Sequence, residues 1–199
     1  MKKNLLPVMA LARDRATFRA SEAVECGIPR VTLTRLVERG ELSRVARGVY
    51  TSTKRKPTER DGLLEVSSQS RLGVFCLLTA LRFHQLTTQS PFEIWLAIPN
   101  KARAPRIAYP PVHVVRYSGL ALSEGVESHL IEGQVIRVYS VAKTVADCFK
   151  YRNKIGIDVA IEALRDAWTR KVLTMSELHH FAKICRVEKV IRPYIESLV

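Results

Sequence analysis

The sequence lacks any apolar run long enough to cross a bilayer. A membrane-spanning helix needs about 20 consecutive apolar residues, and the best candidate, residues 74–81, is far shorter. The opening residues, MKKNLLPVMALARDR, are basic and then apolar like a signal peptide, but the apolar part is brief, contains Pro7 and runs directly into Arg13. We therefore expect a first helix here, and a cytoplasmic protein.

Cysteine is also scarce and is not arranged for metal binding or for a disulfide framework. The cysteines are Cys26, Cys76, Cys148 and Cys185. They lie 50, 72 and 37 residues apart, without a CxxC pair or a histidine at zinc-finger spacing. The adjacent His179 and His180 would point about 100° apart on a helix, which is unsuitable for joint ligation. We expect buried, reduced thiols and no metal or other cofactor.

Acidic residues are few relative to basic ones. The chain carries 32 Lys and Arg against 19 Asp and Glu, a formal net charge of +13. Residues 1–60 hold 14 basic and 6 acidic side chains, so the positive charge is densest in the first third of the chain. Such a charge attracts polyanions, above all nucleic acid. A basic face that simply contacts solvent is the alternative.

Residues 17–51 have the pattern of a helix-turn-helix. The stretch reads TFRASEAVECGIPRVTLTRLVERGELSRVARGVYT. Ser21 is a candidate N-cap for a short first helix, and Gly27 suits the tight turn that follows. Pro29 fits the first turn of a second helix that ends at Gly40. The spacing from the small Ala23 through Gly27 to the later leucines is that of two crossing helices.

A short hairpin follows the second predicted helix. Residues 41–45 and 48–51 read as strands joined through Ala46-Arg47-Gly48. We therefore predict a winged helix-turn-helix, with a helical hairpin that only packs on the rest of the protein as the alternative.

The outward side chains of this motif are suited to duplex DNA. A helix fits the major groove, where Arg forks onto guanine and Thr bonds to base edges or phosphates. Arginines before the first helix and on the wing would grip phosphates or the minor groove. The predicted DNA-binding residues are Arg19, Arg30, Thr32, Thr34, Arg35, Arg39, Arg44 and Arg47.

The polar, basic stretch 52–57 reads as a linker, so we predict a DNA-binding domain over residues 1–55 and a second domain over residues 56–199. The composition of the second part predicts a helix over 72–86, strands over 92–99, 112–117, 127–131 and 134–139, and helices over 140–151, 157–169, 176–185 and 190–198. The expected class is α+β: an N-terminal winged helix-turn-helix followed by a mixed α/β domain with a small sheet and a helical C-terminal end.

A second basic segment occupies residues 100–117, where the prolines exclude a helix. Its cations are Lys101, Arg103, Arg106 and Arg116. They are candidate auxiliary contacts to nucleic acid, and a solvated loop is an equal alternative.

Catalytic patterns are weak. Glu93, Lys143 and Asp147 resemble a metal-dependent nuclease set only loosely, because their spacing does not match one. Ser140 and Lys143 are three residues apart, as in some acyl-transfer enzymes, but Ser140 is better placed as a helix N-cap and Lys143 and Asp147 as an i,i+4 pair. We expect no enzyme.

Over nearly its whole length, the chain resembles the AbiEi-type antitoxins of bacterial type IV toxin-antitoxin systems. The resemblance rests on the opening element and, more specifically, on EIWLAIP at 93–99, RVYSVAKTVADCFKYRNKIGIDVAIEALRDA at 137–167 and IRPYIESL at 191–198. It implies a repressor that autoregulates its operon at inverted repeats of double-stranded DNA and, through its C-terminal domain, counters a nucleotidyltransferase toxin without a stable complex.

Such systems are linked to abortive infection and phage defence. The resemblance is compatible with a monomer in solution and two copies on the operator, and implies a nucleoid-associated location without membrane contact. A stand-alone winged-helix regulator without a toxin is the alternative.

Overall fold

The computed structural model describes the backbone of residues 5–198 and the side chains of residues 7–198. It contains helices and two β-sheets, which confirms a mixed class. The N-terminal elements are α1 (Leu5–Asp14), β1 (Phe18–Arg19), α2 (Ala20–Glu25), α3 (Arg30–Glu38), β2 (Leu42–Ala46), β3 (Val49–Ser52) and α4 (Asp61–Gln69).

The first sheet has three strands in the order β1-β3-β2, all antiparallel. Its apolar face and the helices enclose one core. The buried residues of that core are Val8, Ala12, Phe18, Ala23, Ile28, Leu33, Leu36 and Leu42. The spacing of the two leucines of α3 places them on one face, which is why this helix is anchored on a single side.

The N-cap predicted at Ser21 is wrong, because α2 begins two residues earlier. Phe18 and Arg19 pair with β3 and keep an extended backbone, so the cap is Arg19. The N–H of Arg19 donates to the Glu22 carboxylate at 2.6 Å. Glu22, the third residue of the helix, thus supplies the side-chain acceptor that was expected from Ser21.

The remaining strands and the short helices between them are β4 (Val74–Phe75), α5 (Leu77–Phe83), β5 (Ile94–Pro99), β6 (Val112–Tyr117), α6 (Leu120–Ser123), β7 (Val126–Ile131) and β8 (Gln134–Tyr139). They form a mixed five-stranded sheet in the order β6-β5-β4-β8-β7. The strands β5 and β6 run parallel, while β4 is antiparallel to β5 and parallel to β8.

A helical end follows, comprising α7 (Val141–Lys150), α8 (Arg152–Ile155), α9 (Ile157–Thr169), α10 (Met175–Cys185) and α11 (Glu188–Glu196). Every residue of α7 from Ala142 to Phe149 is buried, so this helix is the centre of the larger core. No helix within residues 5–198 is long and apolar enough to cross a membrane.

The helix predicted over residues 72–86 is only partly correct. Residues 74–75 form β4, and the helix is confined to α5. Leu77 has a positive φ of 48°, which is incompatible with a continuous helix through this segment. The two residues of β4 gain backbone partners from β5 and β8, which lie far away in sequence.

The chain divides into two compact units. The first comprises Met1–Arg71, Pro105–Pro110 and His129–Ile136, and the second comprises Leu72–Ala104, Pro111–Ser128 and Arg137–Val199. The tip of the β7–β8 hairpin thus belongs to the same unit as α2 and α3, although it follows them by about a hundred residues.

Candidate DNA-binding surface

A tight turn joins α2 to α3 and sets the helix-turn-helix-like crossing. Gly27 has a φ of 76°, and its N–H donates to the Val24 carbonyl at 2.8 Å. The next N–H, from Ile28, donates to the Ala23 carbonyl at 2.9 Å while its side chain is buried. This pair of bonds ends α2 and turns the chain into α3.

The outer face of α3 is basic and polar. Leu33 and Leu36 are buried, whereas Arg30, Thr34 and Arg35 are exposed. Thr32 is half-buried, so its hydroxyl is less available than predicted. Val31 is 54% exposed beside these residues but was not among the predicted DNA-binding residues. In the sequence, only its position on the outward face of the helix indicates this exposure.

The β2–β3 hairpin is fixed against the start of α2. The Gly48 carbonyl accepts the Ala20 N–H at 2.8 Å, and the rings of Phe18 and Tyr50 stack with centroids 5.9 Å apart. Arg47 occupies the turn and is exposed, as is Arg44 on β2. These contacts hold the two arginines in a defined place relative to α2.

Arg19 and Arg39 lie at the ends of the helices. Arg39 is exposed and caps the C-terminus of α3, where the helix dipole favours a cation. Arg19 is half-buried, and burial together with the nearby Arg71 guanidinium lowers its pKa. A polyanion that approached Arg19 and Arg71 would relieve their repulsion.

The arginines of α3 and the hairpin have no acidic partners. Among the residues that the structure describes, no salt bridge involves Arg30, Arg35, Arg39, Arg44 or Arg47. By contrast, Arg15 in the same unit binds Glu22 at 2.6 Å. These five guanidinium groups are therefore not paired with carboxylates, which is typical of a surface that binds a polyanion.

Arg55 has a different role from its neighbours in the basic linker. It donates to Asp61 at 2.6 Å and to Glu132 at 2.8 Å, and its side chain is only 18% exposed. These two hydrogen bonds raise its pKa. Burial opposes ionisation of Asp61, but the hydrogen bonds from Arg55 and Thr58 outweigh it and lower the pKa of the carboxyl. Arg55 thus ties the linker to the hairpin tip instead of lying free.

The cations of the second basic segment belong to both compact units. Lys101, Arg103 and Arg106 are exposed, but Arg106 belongs to the first compact unit and the other two to the second. Arg116 donates through Nη1 to the carbonyls of Asn100 at 2.7 Å and Ala102 at 2.8 Å, so part of its guanidinium stabilises the turn after β5.

The residues considered for catalysis make contacts within the fold. Asp147 is fully buried and binds Lys143 Nζ at 2.5 Å as the predicted i,i+4 pair, and Cys185 Sγ donates to the same carboxylate at 3.1 Å. Ser140 caps α7, as predicted. Glu93 instead lies 3.4 Å from the His113 ring. No group of metal-ligating side chains occurs among the described residues.

Three of the four cysteines are buried as expected, and burial together with the Asp147 charge raises the pKa of Cys185 to about 12. Cys26 is the exception, because it lies exposed in the turn between α2 and α3.

Comparison with known proteins gives two findings. Residues 7–53 match the family model described as "Transcriptional regulator, AbiEi antitoxin". The fold is similar to the crystal structure of the RV2827C protein from Mycobacterium tuberculosis, with a TM-score of 0.60 and 13% identity over 88% of this chain and 69% of that one. No curated protein matches. The resemblance to AbiEi-type antitoxin regulators is thus confirmed by a match that covers residues 7–53.

Proposed function

We propose that the chain is a sequence-specific DNA-binding transcriptional repressor whose α2, α3 and β2–β3 hairpin act as a winged helix-turn-helix. The observation that carries the proposal is the set of exposed arginines on α3 and the hairpin that have no acidic partner among the described residues. A regulator region matched over these same elements supports it.

The chemistry of each element suits a different part of the duplex. An exposed arginine on α3, such as Arg35, can fork onto O6 and N7 of guanine in the major groove, and the exposed Val31 can contact a thymine methyl. Arg44 and Arg47 lie on the hairpin and not on the helix that would contact the bases, so they are suited to contacts with phosphates.

The test is selection of bound duplexes from a random pool with the full chain, followed by titration of the enriched sequence and of scrambled DNA. We expect tighter binding to the enriched site at the same salt concentration. Equal affinity for both duplexes would reduce the protein to a nonspecific DNA binder and contradict the proposal.

We further propose that the protein is the antitoxin of a type IV pair. It would repress its own operon at inverted repeats, with residues 1–55 on DNA and residues 56–199 opposing a nucleotidyltransferase toxin without a stable complex. The match to an antitoxin family model supports this proposal. A stand-alone regulator is the second candidate, and co-expression with the product of the adjacent gene separates the two. Growth rescue by the full chain favours the antitoxin, and no toxicity from any neighbouring gene favours the regulator.

A further inference from the structure

A basic pocket lies in the second unit, far in sequence from the arginines of α3. It has a volume of about 480 Å³ and is formed by the turn after β6 and the C-terminal ends of α7 and α10. Its cations are Arg116, Lys150 and Arg186, and no Asp or Glu of the described residues lines it. Three positive charges therefore surround one concave space.

The absence of carboxylates distinguishes this pocket from a larger one in the first unit. That pocket, of about 770 Å³, is lined by four cations together with Asp14 and Glu132. Three of those cations, Arg13, Arg15 and Arg55, form salt bridges with carboxylates. In the basic pocket, none of the three cations has a salt bridge within the described part of the chain. An anion is the missing partner that would offset their mutual repulsion.

Arg116 is held in place, and Arg186 stands at a defined point of the backbone. Arg116 is fixed through its Nη1 bonds to the carbonyls of Asn100 and Ala102, which leaves its other N–H donors for a ligand. Arg186 ends α10 in the left-handed conformation, with φ 58°. Glycine is the usual residue at such a position and a larger one is strained there by about 1 kcal/mol.

The rest of the lining is apolar or small. Leu120 is 60% exposed at the pocket and Ile184 is half-buried, so a flat apolar group can lie against them. Ser118 adds a hydroxyl, and Gly119 adopts φ 54° and ψ −143°, a conformation that essentially only glycine takes. Because Gly119 has no side chain, the backbone is uncovered at this edge of the pocket.

We propose that this pocket is a binding site for a nucleotide, with the phosphate held by Arg116, Lys150 and Arg186 and the base against Leu120 and Ile184. Arginine forks onto phosphate oxygens and lysine supplies a compact charge, which together match a phosphate group. The volume falls within the range of about 300–1,000 Å³ that is usual for small-molecule sites. The nucleotide is either free or part of a nucleic-acid strand, and both present the same phosphate chemistry.

The experiment uses the full chain labelled with ¹⁵N and follows the amide resonances of Gly119 and Leu120. The probes are inorganic phosphate, ATP and a random-sequence single-stranded DNA, each added separately at constant ionic strength. We expect ATP to move these resonances at lower concentration than inorganic phosphate. If only the single-stranded DNA moves them, the site holds a nucleotide of a nucleic-acid strand. No movement with any of the three probes would overturn the proposal.

A matched pair of variants tests the cations. Lys150→Met with Arg186→Asn removes two charges from the pocket, and Asn is chosen because it tolerates a positive φ. We expect this double variant to bind the effective probe more weakly by roughly tenfold for each lost charge-assisted hydrogen bond. The control, Lys154→Met with Arg165→Gln, removes two exposed cations outside the pocket. Equal weakening in both double variants would show a nonspecific charge effect and overturn the proposal.

Discussion

At the scale of single residues, the exposed arginines of α3 differ from those that stabilise the fold. Arg35 is exposed and unpaired, while its helix neighbours Leu33 and Leu36 are buried. We predict that Arg35→Ala weakens binding to the preferred duplex by about 1–3 kcal/mol, the usual effect of losing a bidentate guanine contact. Titration by fluorescence anisotropy on the preferred and scrambled duplexes measures the loss.

The control for this prediction is Arg165→Ala, which removes an exposed arginine from α9 and is expected to leave binding unchanged. A loss for Arg35→Ala that is equal on the preferred and scrambled duplexes would assign Arg35 to a phosphate instead of a base.

Arg55 is the residue whose loss should affect stability more than DNA binding. Its guanidinium joins Asp61 and Glu132, and both carboxylates lose their partner in Arg55→Met. Because the site is partly open to solvent, we expect a loss of about 1–2 kcal/mol in the free energy of unfolding. Urea unfolding measures it, and Lys56→Met, which removes an exposed neighbouring cation, is expected to change stability by less than about 0.5 kcal/mol.

The pH dependence of the stability difference between wild type and Arg55→Met follows from Asp61. Its pKa is lowered in the folded state, so the ion pair contributes fully above the pKa of an unfolded Asp, about 3.9, and its contribution is lost as the pH falls through the folded-state pKa. The gap between wild type and Arg55→Met should therefore narrow as the pH falls below about 4. A gap that stays constant would indicate that Arg55 stabilises through packing of its stem.

At the scale of elements, the β7–β8 turn is packed more closely than the β2–β3 turn. Gly133 and Gly48 have nearly the same φ, 71° and 73°. A Cβ at Gly133 would collide with the backbone oxygen of Asp14, while a Cβ at Gly48 meets nothing within 4 Å. We predict that Gly48→Ala costs about 1–2 kcal/mol of stability from its backbone conformation alone, and that Gly133→Ala costs measurably more. Equal thermal shifts in the two variants would show that the turn moves freely away from Asp14.

The β2–β3 hairpin should contribute to DNA affinity without contributing to sequence preference. We predict that Arg47→Ala weakens binding to all duplexes alike and reduces the slope of log K against log salt by about one unit for one lost phosphate contact. Affinities at four salt concentrations measure the slope. An unchanged slope would show that Arg47 does not touch the DNA backbone.

Elements with a strong local pattern could be predicted from the sequence. The predicted bounds of β6 and α9 agree with the structure, because β-branched residues dominate the first and a helical apolar period the second. The short β4 was missed because its residues are as apolar as those of α5, and only pairing with distant strands makes them extended. The outward arginines of α3 followed from helix geometry, whereas the role of Arg55 did not, because its partner Glu132 is 77 residues away.

At the scale of the whole molecule, the first compact unit is assembled from distant parts of the chain. The Gln134 side chain accepts a hydrogen bond from Thr17 at 2.8 Å and donates to the Leu64 carbonyl at 2.7 Å. The N–H of Ala16 donates to the Glu132 carbonyl at 3.2 Å. The hairpin tip thus supplies partners to polar groups beside β1 that would otherwise be exposed or unsatisfied.

This assembly predicts how a truncated protein behaves. A fragment of residues 1–55 keeps α2, α3 and the β2–β3 hairpin but lacks Asp61, Glu132 and Gln134, which bind Arg55 and Thr17. Its core is also small, and domains of this size are marginally stable. We therefore expect the fragment to unfold at a clearly lower temperature than the first unit does within the full chain. Hydrogen exchange of the Leu33 and Leu36 amides at rising temperature measures the difference. We also expect the fragment to bind one operator repeat weakly.

DNA binding by the full chain and by the fragment separates the effect of truncation on stability from its effect on DNA contacts. The full chain should bind a duplex with two inverted repeats more tightly than one with a single repeat, and the fragment should lose most of that advantage. Measuring the fragment at about 15 °C, near the usual temperature of maximum stability, keeps instability from being mistaken for lost contacts. A fragment that matched the full chain in amide protection and in two-repeat affinity would show that residues 129–136 are dispensable to the DNA-binding unit, despite the hydrogen bonds that join them to it.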